Sequence, residues 1–293
     1  MSLQAKIDFT LHLADNALVL GHRNSEWTGH GPILEQDIAL SNIALDLIGQ
    51  ARYFYQHAAG LINEKEGAKG GGRPGPGSAE VTEDSLAYGR DAWDFRNCLL
   101  AEQGNGDWAK TILRQFFFSA YQFCFYEQLQ HSRDTQLAAI AEKAHKEVIY
   151  HLRWSSEWVI RLGDGTAESH SRMEKALDQL WKFTGELFLP AEYERTLATA
   201  GIAVDLEQVH PWWEEKVGEV LAEAQLAPPA GGRGNGGAEG GAARDGAATR
   251  GDGAARKGEW MQTGGKQGRH TEDLGYLLAE MQFLQRTYPG CEW

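Results

Sequence analysis

The chain has 293 residues, of which 42 % are hydrophobic and ten are tryptophan, so it can bury a sizeable core as one large or two small domains. Its formal net charge of −13 argues against nucleic acid or an anionic membrane as partner, since both require excess Lys and Arg. Cys98, Cys124 and Cys291 are scattered and odd in number, the N-terminus lacks the apolar region of a signal peptide, and no apolar run approaches the roughly 18 residues of a membrane span; a cytoplasmic protein without disulfides is expected.

In chain order, a first helix is predicted over about 4–22, with Ile7, Leu11, Ala14 and Leu18 inward and Asp15, Asn16 and His22 interrupting it. Pro32 is expected to open a second, very long helix to about Ile62, apolar almost all round in its middle and therefore central. Asn42, Asp46 and Gln50 cut a polar line through it; the line reads as a buried hydrogen-bonded row, as a solvent-facing stripe or as a degraded ligand row. Residues 63–80 are rich in Gly and Pro, which excludes helix and predicts a flexible loop. Thr82 or Asp84 can cap a helix over SLAYGRDAWDFRNCLLAEQ, and Asn105 or Asp107 a long aromatic helix from Trp108 that contains Ser119.

Asp134 is the expected N-cap of an amphipathic helix to Leu162, with Leu137, Ala141, Ala144, Val148, Leu152, Ser155, Val159 and Leu162 on its buried face and His151 at that face's edge. Further helices are predicted over Ser169–Phe188 and 203–225. Residues 226–258 hold almost only Gly, Ala, Arg, Asp and Pro and are expected to be a disordered insertion. The chain then returns to a single domain formed by 1–225 and 259–293. Its last helix spans 271–287, capped by Thr271 and packing through Leu274, Leu277, Leu278, Met281, Leu284 and Phe283. The fold class is all-α: a four-helix bundle with additional shorter helices.

Such a bundle can hold two irons when two helices each give a Glu and two others each give a Glu-x-x-His. The literal pair Glu142 and His145 falls on the flank of its helix, where a solvated face is expected. No Gly-x-Ser-x-Gly elbow and no Cys–His context supports nucleophilic catalysis. The loop Gly264–Gly268 could cradle a phosphate with backbone N–H groups and Lys266, although it lacks the full phosphate-loop spacing.

The stretches LADNALVLGHRNSEW, GPILEQDIALSNIALDLIGQAR, KEVIYHLRWSSEW and TGGKQGRHTEDLGYLLAEMQFLQR resemble the structural C (beta) subunits of bacterial 1,2-phenylacetyl-CoA epoxidase, over nearly all the chain except the two Gly-rich segments. The resemblance implies a ferritin-like bundle acting as a non-catalytic subunit in aerobic phenylacetate catabolism. It implies three partners: a catalytic A subunit with a di-iron centre, a small bridging subunit, and a reductase with flavin and iron–sulfur groups. The complex adds one oxygen atom from O₂ across the ring of phenylacetyl-CoA. Set against the catalytic subunit's motifs, the metal positions fall on Asn16 (or Ala17), Leu47, Gln50, Ser119, Val148 and His151. Only the histidine is a strong ligand, so neither a metal site nor a cofactor on this chain is expected. His151 is expected to bond Gln50, Asn16 or Ser119 in the interior. The partner surface is sought on exposed apolar groups of the long helices and on 271–287. The rival readings are an autonomous di-iron oxygenase or ferroxidase, and a CoA-ester-binding module in which Lys266 and Arg269 contact the CoA phosphates.

Overall fold

In chain order the helices are α1 (Leu3–Ser25), α2 (Leu34–Gly70), α3 (Glu83–Tyr88), α4 (Leu99–Glu102), α5 (Trp108–Leu129), α6 (Thr135–Gly163), α7 (Ala167–Leu180), α8 (Glu192–Thr199), α9 (Leu206–Glu223), α10 (Glu272–Met281) and α11 (Phe283–Thr287). They come from a computed structural model whose described residues are 2–70, 80–229, 261–289 and 291; no strand occurs among them. The helix starts follow from side chains that bond the amides a first turn leaves unpaired. Asp107 accepts from Lys110 N at 3.0 Å, and Asp134 accepts from Gln136 N and Leu137 N at 3.0 and 3.1 Å.

The four long helices α1, α2, α5 and α6 form the bundle: α1 lies along α2, α5 lies along α6, and α2 meets α6. Gly21 lets the first pair approach closely, since a Cβ there would sit 3.1–3.3 Å from Ile48, Leu47 and Ala44. Seven of the eight expected positions, Leu137 to Val159, are buried as the three-and-four spacing requires; Leu162, in the last turn, is half-buried, and His151 is fully buried rather than at the face's edge. The aromatics of α5 fill the interior: Phe116, Phe117, Phe118, Tyr121, Phe125 and Tyr126 are each at most 2 % exposed. α7 and α9 close over α5, with Trp181, Trp213 and Phe117 in mutual ring contact. No described helix is long and apolar enough to cross a membrane.

Several expected boundaries move. Asp15 and Asn16 do not interrupt α1; they are buried within a continuous helix. The second helix begins at Leu34 rather than Pro32, and Asp37 ties down the preceding turn by accepting from Gly29 N and Gly31 N at 2.8 and 2.9 Å. It also runs on through Asn63–Gly70 into the expected loop, because Glu64, Lys65, Glu66 and Ala68 are good helix formers despite Gly67. Residues 71–79 of that loop, and the Gly/Ala-rich stretch from 230 to 258, lie outside the described residues.

The expected helix over 85–103 is broken into α3, a 3₁₀ turn at Ala92–Asp94 and α4. Tertiary hydrogen bonds outweigh helix propensity here, because the buried Asp15 draws in Arg96 N at 2.7 Å and the Arg90 guanidinium. The helix expected over Ser169–Phe188 ends at Leu180 and continues as two 3₁₀ turns, Trp181–Phe183 and Gly185–Phe188. The last helix breaks at Gln282, whose buried amide donates to Ala87 O and Arg90 O at 3.2 and 3.0 Å. Beyond that break Phe283 and Leu284 point outward, 59 % and 46 % exposed, instead of packing.

Candidate functional site

Two polar regions lie inside the bundle. The first is its centre, where α2 and α6 run antiparallel. His151 is fully buried and its Nε2 donates to Asp46 Oδ2 at 2.9 Å; one turn further along, Gln50 Nε2 donates to Glu147 Oε2 at 2.9 Å. The other ring nitrogen, His151 Nδ1, is buried and has no hydrogen-bond partner among the described residues. Burial raises the carboxyl of Glu147, an effect that the Gln50 hydrogen bond only partly offsets. Tyr126 OH reaches Gln50 Oε1 at 3.5 Å. Leu47 and Val148, facing inward beside these groups, are fully buried aliphatics.

The polar line on α2 therefore splits: Asn42 is exposed, Asp46 is partly exposed and Gln50 is buried. The partner of His151 is Asp46, not Gln50, Asn16 or Ser119, because the antiparallel crossing sets residue 46 opposite 151 and residue 50 opposite 147.

Ser119 belongs to a separate interior chain. It accepts from Gln115 Nε2 at 2.8 Å; Gln115 accepts from Asn24 Nδ2 at 2.7 Å; Asn24 accepts from the fully buried Arg114 at 3.2 Å. Asn16 does not join either group. The register of α1 on α2 places Gly21 against Leu47 and Asp15 against Tyr55, so Asn16 lies about 7 Å along the axis from the level of Leu47. The sequence reading missed Asn24 and Gln115, whose signal was an amide at a buried register of a long helix. Glu142 and His145 do sit on the flank, Glu142 paired with Lys146 at 2.9 Å and His145 against the Phe123 ring. Among the described residues, no group of three or more His, Cys, Asp or Glu is placed to hold a metal ion.

The second region joins the segment 261–271 to α1, α4 and α8. Lys266 is 1 % exposed and donates to Glu194 at 3.0 and 3.2 Å and to Leu189 O at 3.1 Å. It is therefore not a flexible phosphate contact, because its ammonium is already neutralised inside the fold; Arg269 is exposed and stands apart from it. Burial opposes the charge on Lys266, yet Glu194 raises its pKa above the ordinary lysine value. The backbone amides expected to cradle an anion do hold one: Glu186 accepts from Gly264 N, Gly265 N and Leu99 N at 2.7–2.8 Å. Gly268 has φ +77°, and a Cβ there would lie 2.3 Å from Trp93 O, so only glycine fits that turn against the 92–98 backbone.

Further along, Glu102 accepts from Thr271 N and Oγ1 at 2.7 and 2.8 Å and from His270 Nδ1 at 2.8 Å, while His270 Nε2 faces Phe95 O at 3.0 Å. Both ring nitrogens face acceptors, so the imidazolium satisfies both. Burial disfavours its charge, and the hydrogen bond and charge of Glu102 outweigh that and raise its pKa. Thr271 starts α10 as expected, but its hydroxyl serves Glu102 rather than the helix amides. His12 behaves in the opposite way. Burial lowers its pKa; as a neutral ring it donates from Nδ1 to Arg96 O at 2.7 Å and accepts from Asn16 Nδ2 at Nε2 at 3.2 Å. Asn16 Oδ1 in turn accepts from Cys98 N at 2.7 Å.

Compared with known proteins, the chain matches the family described as phenylacetic acid catabolic protein over residues 1–243 and 254–293. It is 43 % identical over 285 residues to the C subunit of 1,2-phenylacetyl-CoA epoxidase from Escherichia coli (strain K12), an alignment that covers 97 % of this chain and 98 % of that protein.

Proposed function

The chain belongs to the phenylacetic acid catabolic protein family, and from that premise we propose that it is a non-catalytic, scaffolding subunit of a cytoplasmic phenylacetyl-CoA 1,2-epoxidase. One observation carries the non-catalytic part: the donor set at the bundle centre does not fit two irons. Leu47 and Val148 put fully buried aliphatic groups at two of the ligand positions, and Ser119 and Gln50 are neutral and engaged with Gln115 and Glu147. His151 is the one strong donor among them. A pair of iron ions needs carboxylate charge that these positions do not supply.

No reaction step passes through a metal on this chain in this reading. The oxygen chemistry belongs to a catalytic partner subunit with a di-iron centre, served by a small bridging subunit and a flavin and iron–sulfur reductase. What this chain's own residues supply is rigidity: a bundle packed with α5 aromatics and clamped to its flanking segments by buried ion pairs. Reconstitution tests the reading. Epoxidation of phenylacetyl-CoA by the other subunits is measured with and without this chain, beside metal analysis of the chain alone. Activity that requires a chain carrying no stoichiometric iron is the expected result. Iron at two per chain, or full activity without the chain, overturns the proposal.

A further inference from the structure

Glu102 has no exposed surface, and its carboxylate is held from two distant parts of the chain. Asn97 Nδ2 donates to Oε2 at 2.8 Å from the non-helical strap that leads into α4. From the turn that leads into α10, His270 Nδ1 donates to Oε2 at 2.8 Å, and Thr271 N and Oγ1 donate to Oε1 at 2.7 and 2.8 Å. Of these groups His270 alone can bring a positive charge. Its side chain is 5 % exposed, and its other nitrogen, Nε2, stands 3.0 Å from Phe95 O on the same strap. The imidazolium therefore joins α4, the strap and the turn at one point.

A neutral imidazole has a single N–H and cannot serve both acceptors. With that hydrogen kept on Nδ1 for the carboxylate, Nε2 sets a lone pair against the Phe95 carbonyl, and Glu102 loses the cation bonded to it. In a dry site both changes weigh heavily. Phe95 O keeps a donor in Arg96 Nη1 at 3.1 Å, so the strap is satisfied without the ring.

The surrounding charges set when this happens. Glu102, and more weakly Asp15 on α1, hold the proton against burial, so it leaves on the alkaline side of the ordinary histidine value. Asp15 is itself tied to Tyr55, Arg90 and Arg96 N. Arg23 of α1 reaches Glu102 O and Asp273 O with its guanidinium. His12 on α1 binds Arg96 O as a neutral ring, and burial lowers its pKa, so it changes charge on the acid side. Lys266 and Cys98, beside the joint, are both shifted upward, away from neutrality. Arg269, Glu272 and Asp273 are the remaining charged residues of the turn. Contacts that do not involve His270 fix the segment on either side: Lys266 on Glu194 before the turn, and the buried Leu274, Leu277 and Leu278 after it.

We propose that the 268–273 turn is a proton-operated latch: protonated His270 holds it on α4 and the strap, and loss of that proton lets it lift while Lys266 and the α10 leucines stay seated. Hydrogen exchange of the full chain tests this, with the Thr271 amide as reporter because its hydrogen is bonded to Glu102. Corrected for the intrinsic effect of pH on exchange, protection at Thr271 should fall several-fold between about pH 6 and pH 9, through an opening that low denaturant leaves unchanged. The fall should level off where the imidazole resonances of His270 report loss of its proton. In His270→Gln, protection at Thr271 should be independent of pH over that range. Protection that does not change with pH in the wild type, that changes equally in His270→Gln, or that is lost only through the denaturant-sensitive opening shared with α6 overturns the latch. Should His270→Gln fail to fold, the wild type decides alone, since a plateau displaced from the His270 titration assigns the effect to another group and overturns the proposal as well.

Discussion

The bundle centre and the junction with the 261–271 segment are both buried and both polar, yet they are organised differently. At the centre the groups are mostly neutral amides and hydroxyls in short chains, interrupted by Leu47 and Val148, and the one histidine is tied to a carboxylate at the bundle's edge. At the junction Glu186, Glu194, Lys266, Glu102 and His270 are charged groups at most partly exposed, and each is held by several partners from distant parts of the chain. The difference shows where electrostatics carry stability. At the junction ions clamp distant segments together, whereas at the centre the positions Leu47, Gln50, Ser119 and Val148, which a metal would need as donors, are aliphatic or neutral.

Breaking the junction should have the largest effect. Lys266→Met strands Glu194 in a dry site, and loss of one partner of a buried ion pair costs about 3–5 kcal/mol; urea unfolding of the full chain measures it. The comparison fails if the loss is no larger than that from a substitution at the bundle centre. Next comes pH. The pKa of His270 is raised, so its contribution is fully present below the unfolded value near 6.5 and is lost as pH rises through the folded value. The pKa of His12 is lowered by burial, and that of His22 to about 4, so their contributions are present above 6.5 and are lost as pH falls. Stability should therefore decline on both sides of neutrality, and His270→Gln should flatten the alkaline side alone, as read from unfolding midpoints across pH 5–9.

At the centre, Ser119→Ala leaves the Gln115 amide short of an acceptor and should cost about 1–2 kcal/mol by the same denaturant measurement. His151→Leu removes one bond to a partly exposed carboxylate and fills the apolar side of the ring's site, so a change of about 1 kcal/mol or less is expected. Smallest of all, prolonged dialysis against a strong chelator should leave the melting temperature of the isolated chain unchanged; a clear fall would mean that a metal contributes to the fold.

The bundle was legible in the sequence where local signals and burial agree. Asp107 and Asp134 cap the helices they precede, and the apolar series from Leu137 to Val159 is the buried face of α6. What was not legible depends on partners far away in the chain. The break after Tyr88 needs the buried carboxylate of Asp15 to explain it, and the outward turn of Phe283 and Leu284 needs Gln282 bonded to the 87–90 backbone. Lys266 between glycines suggests an anion site on composition alone. Glu194, 72 residues earlier, is what buries it, and Glu186 is what fills the amides beside it. His151 is buried and paired, as its place on α6 implies, while its partner follows from a helix register that spacing within one helix does not contain.

The bond from Arg23 to Asp273 O spans 250 positions, and His270 to Glu102 spans 168. Synthesis runs from the N-terminal side, so the Arg23 guanidinium of α1 meets the Asp273 carbonyl only after the 250 positions between them have been made. Until then one nitrogen of Arg23 and the Glu102 carboxylate lack these partners, and the fold closes by joining α1 and α4 to the 261–273 segment. Ordering the last segment costs little extra for the length of loop it spans, because closure entropy grows only slowly with length. Removal of the segment from residue 261 onward would for that reason unpair groups on α1 and α4 as well as remove α10 and α11.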